Sequence, residues 1–95
     1  MALQRNYYYQ PFDTSFGNAY WRINPNTGIQ GGKNKITYTM QVFKDRNSAD
    51  SEDSKYIAEY HYNFIPDMSF GAANFVMQAY NHFKSLPEFM DAIDI

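Results

Sequence analysis

The sequence of 95 residues contains no cysteine, which excludes both a disulfide framework and a thiolate metal site. It has no run of about 20 consecutive apolar residues, the length that a membrane-spanning helix requires, so we expect no membrane association. The opening MALQRNYYYQ holds no apolar run that would serve as a signal peptide. Without crosslinks, we expect side-chain packing and contacts with partners to stabilise the fold.

Positive charge is also scarce. Eight Lys and Arg stand against ten Asp and Glu, so the net charge is −2 and the isoelectric point is about 5.5. Proteins that follow a phosphate backbone usually carry a basic excess, so we expect no nucleic-acid partner. Hydrophobic residues at 44% and charged residues at 19% are typical of a globular protein, and the length is typical of one domain.

Aromatic side chains, by contrast, are abundant. Nine Tyr, eight Phe and one Trp make up 19% of the chain. Tyrosine is favoured at interfaces because its ring is apolar and its hydroxyl forms hydrogen bonds. We expect the small core to be unable to enclose all of these rings, so that some lie at a surface that contacts another molecule.

Three segments alternate between apolar and polar side chains with the period of two that is typical of a half-buried strand. They are residues 18–24, 36–44 and 55–64. We predict that residues 36–44 form the central strand of a small antiparallel sheet, a meander of about three to four strands. Residues 25–28 are predicted to form a turn, and the polar residues 45–54 a solvated loop.

Over residues 70–85 the pattern changes to a helical one, with apolar side chains recurring every three or four positions. Asp67 and Ser69 are the candidates for the N-cap of this helix. Residues 85–88 form an S-x-x-E capping box with a proline in the first turn, which predicts a second, shorter helix to about residue 92. The sequence therefore predicts an α+β fold in which C-terminal helices cover one face of the sheet.

Residues 1–18 show no stable period and are predicted to form an extended N-terminal arm, which leaves residues 19–95 as a single α+β domain. The arm either crosses its own domain and covers a sheet face or reaches a neighbouring chain. We assign the aromatic residues of the arm, with two residues of the outer sheet face, as a candidate protein interface. These residues are Tyr7, Tyr8, Tyr9, Phe12, Phe16, Tyr20 and Arg22.

The sequence contains no catalytic, cofactor-binding or metal-binding motif. Glu59 and His61 share one face of a predicted strand, but acid–base catalysis also needs a third group and a pocket. His61 and His82 lie on different elements, and two histidines do not make a zinc site. The glycines of residues 28–32 lack the spacing of a phosphate loop, and residues 45–54 lack the glycine of a calcium loop. We therefore expect no enzymatic activity, no cofactor and no small-molecule substrate.

A final feature is the order of five segments: AYWRI, TYTMQVFK, a polar loop, an aromatic strand and AYNHFKSLPEFMDAIDI. The matching residues are Tyr20, Trp21, Arg22, Ile23, Ala79, Tyr80, Lys84, Leu86, Pro87, Glu88, Phe89 and Ala92. This order resembles small virion proteins of tailed bacteriophages. The resemblance implies a multicopy, non-enzymatic part of a tail, baseplate or fibre attachment. Such a part is made in the host cytoplasm and assembles with other virion proteins and with copies of itself.

Two other hypotheses stay open. A small glycan- or ligand-binding β module would stack exposed rings such as those of Tyr8 and Tyr20 on its ligand. An enzyme would use Glu59, His61 and a nearby tyrosine, and would need a pocket in which a pKa is perturbed. Binding to a glycan array would favour the module, and association with copies of the chain or with neighbouring gene products would favour the assembly component.

Overall fold

The structure, a computed structural model, describes residues 2–24, 27–50, 55–69 and 71–95, and within these ranges the chain forms six strands and two α-helices. The elements are β1 (Leu3–Tyr9), β2 (Thr14–Ile23), β3 (Ile29–Gly32), β4 (Lys35–Phe43), α1 (Arg46–Asp50), β5 (Ala58–Phe64), α2 (Phe75–Ser85) and β6 (Ile93–Asp94). The strand pairs are antiparallel, which confirms the α+β class and the antiparallel sheet. The predicted count of three to four strands is wrong, because the described residues form six strands and β3 and β6 were not expected.

The sheet is built around β4. Strand β5 pairs with one edge of β4 over its whole length, from Ile36↔Phe64 to Val42↔Ala58. The other edge of β4 is shared, because β3 pairs with residues 35–38 and β2 with residues 40–43. Strands β2 and β3 are thus successive halves of one interrupted strand. The sheet continues from β2 to β1 and from β1 to the short β6.

The interruption between β2 and β3 lies where a turn was predicted, and residues 25 and 26 of that turn lie outside the described ranges. The amide of Gly28 donates to the carbonyl of Asn24 at 2.7 Å. A Cβ atom at position 28 would lie 2.6 Å from the same oxygen, so only glycine fits this close approach. The chain then re-enters the sheet as β3 instead of continuing as a loop to residue 34.

The core lies between α2 and one face of the sheet. The alternation of β4 places Ile36, Tyr38, Met40 and Val42 on this face, and all four are fully buried. From α2, the ring of Phe83 lies 5.7 Å from that of Trp21 on β2. Contacts of this kind bury the apolar side of α2, and this burial is the main stabilising contribution in a chain without crosslinks.

The N-terminus of α2 differs from the prediction. The helix begins at Phe75, and the side chain of Asn74 caps it by accepting a hydrogen bond from the amide of Met77 at 2.8 Å. Asp67 does not cap the helix; it accepts from the amide and the hydroxyl of Ser69, and these bonds hold the pKa of Asp67 below its usual value. The predicted start at residue 70 lies outside the described ranges.

The predicted second C-terminal helix is absent from the described residues 71–95. The hydroxyl of Ser85 donates back to the carbonyl of His82 at 2.6 Å and does not cap a new helix. Pro87–Phe89 form a single 3-10 turn that buries Phe89, after which the chain forms β6 beside β1. The capping-box interpretation was wrong because packing of Phe89 and pairing of β6 are long-range contacts that outweigh a local initiation signal.

The polar segment after β4 contains a short helix. Helix α1 buries Ala49, and the carboxylate of Asp45 accepts from the amide of Ser48 at 2.7 Å. Hydrogen bonds from Ser48 lower the pKa of Asp45. The prediction of a solvated loop over residues 45–54 is therefore wrong for residues 46–50, and residues 51–54 lie outside the described ranges.

Candidate functional site

The segment predicted to be an N-terminal arm is part of the sheet. Residues 3–9 are β1, which pairs with β2 from Leu3↔Trp21 to Tyr9↔Thr14, and Leu3 is fully buried. The arm therefore lies on its own domain, which is one of the two alternatives given above, and residues 14–18 are the first half of β2. Residue 1 lies outside the described ranges.

The far half of this β1–β2 hairpin projects beyond the rest of the sheet. Strand β4 pairs with β2 only over residues 20–23, and β6 pairs with β1 only at residues 3 and 4. From residue 7 to residue 16, the two strands of the hairpin pair with each other alone among the described residues. We call residues 8–13, at the end of this projection, the hairpin tip.

A bulge in β2 decides which rings of the hairpin face the core. The register passes from Arg5↔Ala19 to Tyr7↔Phe16, so β2 contains one residue more than β1 at this point. Simple alternation along β2 would place Phe16 on the outer face with Tyr20. The bulge moves Phe16 to the face of Ala19, where it packs at the margin of the core.

The hairpin rings differ in their surroundings. Tyr7 packs edge-on against Trp21 at 5.6 Å and Tyr60 at 6.3 Å, so it belongs to the core margin. At the tip, the ring of Tyr9 lies 5.2 Å from that of Phe12, which is itself 74% exposed. Phe12 is therefore the clearest candidate for an interface anchor.

Tyr8 lies at the hairpin tip on the opposite side of β1 from Tyr7 and Tyr9, and its ring is 54% exposed. Its hydroxyl donates to the carboxylate of Asp13, and this hydrogen bond raises the pKa of Tyr8. Asp13 ends the 3-10 turn of residues 10–12 with a positive φ of 48°, a conformation that aspartate tolerates better than most residues. The sequence pattern gave no signal for this contact between Asp13 and Tyr8.

Tyr20 and Arg22 lie on the outer face of the sheet, as expected, but they are not freely exposed. The ring of Tyr20 lies 6.5 Å from that of Phe43, and the guanidinium of Arg22 lies 4.7 Å above the same ring. Phe43 is in turn nearly fully buried. The seven candidate interface residues are therefore divided among the core margin, the hairpin tip and this outer cluster.

The core encloses more rings than we expected from its size. Among the aromatic residues that the structure describes, only Tyr8, Phe12 and Tyr56 are exposed. Most of the others pack on one another. Trp21 contacts four rings at centroid distances of 5.6 to 5.8 Å, which are those of Tyr7, Tyr60, Phe83 and Phe89. Edge-on and stacked packing of rings at these distances is favourable and uses little volume. The premise of a large surplus of exposed rings is therefore wrong.

A groove of about 460 Å³ lies between the end of β5 and α2. It is lined by Phe64, Ile65, Asp67, Ala73, Gln78, Asn81 and His82. The Gln78 amide is used within the fold, since it accepts from the amide of Asp67 at 2.7 Å and donates to the carbonyls of Asp67 and Ala73. It ties the loop before α2 to the helix, which is a structural role.

His82 lies at the base of this groove. Its Nδ1 lies 2.7 Å from the hydroxyl of Tyr38, and its ring stacks on that of Phe64 at a centroid distance of 5.3 Å. Burial lowers the pKa of His82 and raises that of Tyr38. The pair forms a partly buried hydrogen bond between α2 and β4, and burial is the main cause of both pKa shifts.

Glu59 and His61, the pair considered for acid–base catalysis, do not line the groove between β5 and α2. His61 contacts Thr39 Oγ1 through Nδ1 at 2.9 Å on the exposed outer face, away from the groove. The same ranges contain no group of three His, Asp or Glu side chains that could hold a metal ion. They contain no helix long and apolar enough to cross a membrane.

Comparisons of the chain with protein-family models, with curated proteins and with solved structures gave no match.

Proposed function

We propose that the protein is a non-enzymatic structural component of a phage virion, in the tail, the baseplate or a fibre attachment, and that it acts through protein–protein assembly. The observation that supports an assembly role is the hairpin tip, which projects from the sheet and presents Phe12 with 74% of its surface exposed. Aromatic side chains of this kind are frequent anchors of protein interfaces. The phage particle as the setting rests on the resemblance of the strand and C-terminal segments.

The contact surface is smaller than the seven residues that the sequence suggested. Tyr7 and Phe16 pack at the core margin, and their substitution would disturb the fold itself. The hairpin tip keeps its exposed side chains clear of the core, so they can be changed without loss of packing. The proposed anchor is therefore Phe12, with Tyr9 packed against it and Tyr8 on the opposite side of the hairpin tip.

Substitution at the tip separates assembly from folding. We expect Phe12→Ser to keep the thermal unfolding transition of the wild type and to weaken binding to a partner encoded by a neighbouring gene by more than about tenfold. Ile65→Ser is the matched control, since Ile65 is 81% exposed but lies on a loop beside the groove. Equal binding by the two variants, measured by biolayer interferometry, would contradict the assignment of the tip as the interface.

The setting has its own test. Quantitative mass spectrometry of particles purified from cells that carry the gene should find the chain in the particle fraction in a fixed ratio to other particle proteins. Presence of the chain only in the soluble lysate would contradict a place in the virion.

One observation favours a second function, a small glycan-binding module. At the tip, the exposed ring of Tyr8 lies next to the carboxylate of Asp13, and an aromatic face beside a carboxylate is a combination that binds sugars. Glycan-array binding that is lost in Tyr8→Ala and kept in Ile65→Ser would support this function over assembly.

A further inference from the structure

Strand β5 forms an open edge of the sheet. It pairs with β4 on one side without a break in register, and no strand within the described ranges pairs with its other side. Such an edge presents a row of N–H and C=O groups that lack sheet partners and can accept a further strand.

β5 also carries few of the features that usually protect such an edge. Its seven residues, AEYHYNF, include one charged side chain, Glu59, with no proline, no lysine and no bulge. The other open edges are shorter or interrupted: β6 has two residues, β3 has four and ends in two glycines, and the open stretches of β1 and β2 in the hairpin flank the bulge. A long and regular edge with a single charge is a template for pairing with another chain.

Burial on the core face decreases towards this edge. Tyr38 and Met40 of β4 are fully buried. Their cross-strand partners on β5, Tyr62 and Tyr60, are only half-buried although they lie on the same face. The helical layer therefore leaves the outer strand partly uncovered, and a strand added beside β5 would extend the apolar face.

We propose that β5 pairs antiparallel with β5 of a second copy of the chain, so that the two sheets become one continuous sheet. The inference rests on the proposed assembly function, because pairing of copies is one step of assembly, but it uses a surface separate from the hairpin tip. The second copy is favoured over another partner because the sequence of β5 complements itself about a two-fold axis.

The complementary register has its axis beside Tyr60. In that register, Glu59 of each copy faces His61 of the second copy, and the small Ala58 faces the large Tyr62. Nδ1 of His61 lies 2.9 Å from Thr39 Oγ1 on β4, which leaves Nε2 as the ring nitrogen available to the open edge. When the Thr39 hydroxyl donates to Nδ1, Nε2 carries the proton and can donate to the carboxylate of Glu59. This carboxylate also accepts a hydrogen bond from the Tyr56 hydroxyl of its own chain, and its two oxygens leave lone pairs for the second contact.

The neighbouring register is poorer. An axis beside His61 places that residue opposite itself and Glu59 opposite Asn63, so the carboxylate faces no ring N–H donor. Charge and size complementarity across directly opposite side chains are what select one register in an antiparallel pair.

Disulfide trapping tests both the pairing and its register, because the wild-type chain has no cysteine to interfere. A tagged Glu59→Cys protein is mixed with an untagged His61→Cys protein under mild oxidation. We expect the mixed disulfide dimer to predominate over both homodimers. The control is a mixture of the Thr39→Cys and Gln41→Cys proteins. These positions lie directly opposite His61 and Glu59, on the same face but on the inner strand β4, and they should give no dimer.

The other outcomes overturn the inference. A dominant dimer from Glu59→Cys mixed with Asn63→Cys would overturn the register. No mixed dimer, together with a wild-type monomer in sedimentation at the highest soluble concentration, would overturn the pairing.

Charge substitution provides an independent readout and separates this inference from the proposed function. We expect Glu59→Lys to weaken the dimer by at least about tenfold, because the lysine would face the His61 ring, which is a like charge when protonated and a second donor when neutral. The double variant with His61→Glu should restore the dimer, because the lysine then faces a carboxylate. Phe12→Ser should leave the dimer intact. A dimer that Glu59→Lys does not weaken but Phe12→Ser abolishes would overturn pairing through β5 and leave the assembly function standing.

Discussion

Replacement of Tyr80 by Phe removes one hydroxyl and tests how α2 is fixed to the sheet. The Tyr80 hydroxyl accepts a hydrogen bond from the backbone amide of Ile23 at 2.8 Å, and both residues are buried. Strand β1 pairs with β2 only as far as Trp21, so on that side the amide of Ile23 has no partner in β1. The helix thus supplies the acceptor that the strand lacks.

The magnitude follows from what the substitution leaves behind. The ring of Tyr80 and its packing remain, but the buried amide of Ile23 loses its acceptor, which costs about 1–3 kcal/mol. A domain of this length has a free energy of unfolding of roughly 5–14 kcal/mol, so the loss is a substantial fraction. Each kcal/mol that the free energy of unfolding loses lowers the Tm by roughly 4–8 °C.

Urea denaturation gives the change in the free energy of unfolding, and hydrogen exchange measured by NMR gives the protection of the Ile23 amide. The matched control is Tyr8→Phe, which removes a hydroxyl whose hydrogen bond to Asp13 is exposed, and it should leave the urea midpoint unchanged. If Tyr80→Phe is as stable as the control and the Ile23 amide keeps its protection, the role assigned to Tyr80 is refuted.

Two further predictions concern pH and backbone conformation. Burial lowers the pKa of His82, so on acidification the unfolded state binds a proton before the folded state does. The free energy of unfolding should therefore decrease as the pH falls below about 6.5. His82→Gln should make this decrease smaller when urea titrations at about pH 7.5 and about pH 5.5 are compared. Gly31 has a φ of 115°, and a Cβ atom added there would collide with the Lys35 carbonyl. Gly31→Ala should therefore lower the free energy of unfolding by more than about 1 kcal/mol in the same assay. Gly32→Ala is the control and should be tolerated, because a Cβ atom at position 32 would have no neighbouring atom within 4 Å.

The central strand illustrates what could be predicted locally. Alternation over residues 36–44 identified β4 within one residue at each end and placed Ile36, Tyr38, Met40 and Val42 together on one face, where the structure buries them. The period of two is a property of the extended backbone itself, so a single segment suffices to show it. In the same way, the helical period of residues 70–85 predicted the C-terminal end of α2 at Ser85.

The candidate site could not be predicted in the same way. Alternation assigns Phe16 to the outer face, and only the bulge between the Arg5 and Tyr7 pairs moves it to the core side. Exposure of a ring depends on which other elements cover it. The four rings around Trp21 come from four different elements, so their burial could not be inferred from the tyrosine and phenylalanine count.

By itself, the sequence determined the class of the fold, the central strand with its buried face, and the absence of cysteine chemistry, because each of these depends on composition or on the geometry of consecutive residues. Only the tertiary structure decided that residues 3–9 are a strand, that Ser85 does not begin a helix, and that no strand within the described residues pairs with the outer edge of β5. These features depend on partners far apart in the chain, such as Arg5 and Asp91 at 2.8 Å. The free energy of such contacts is not encoded in any local pattern.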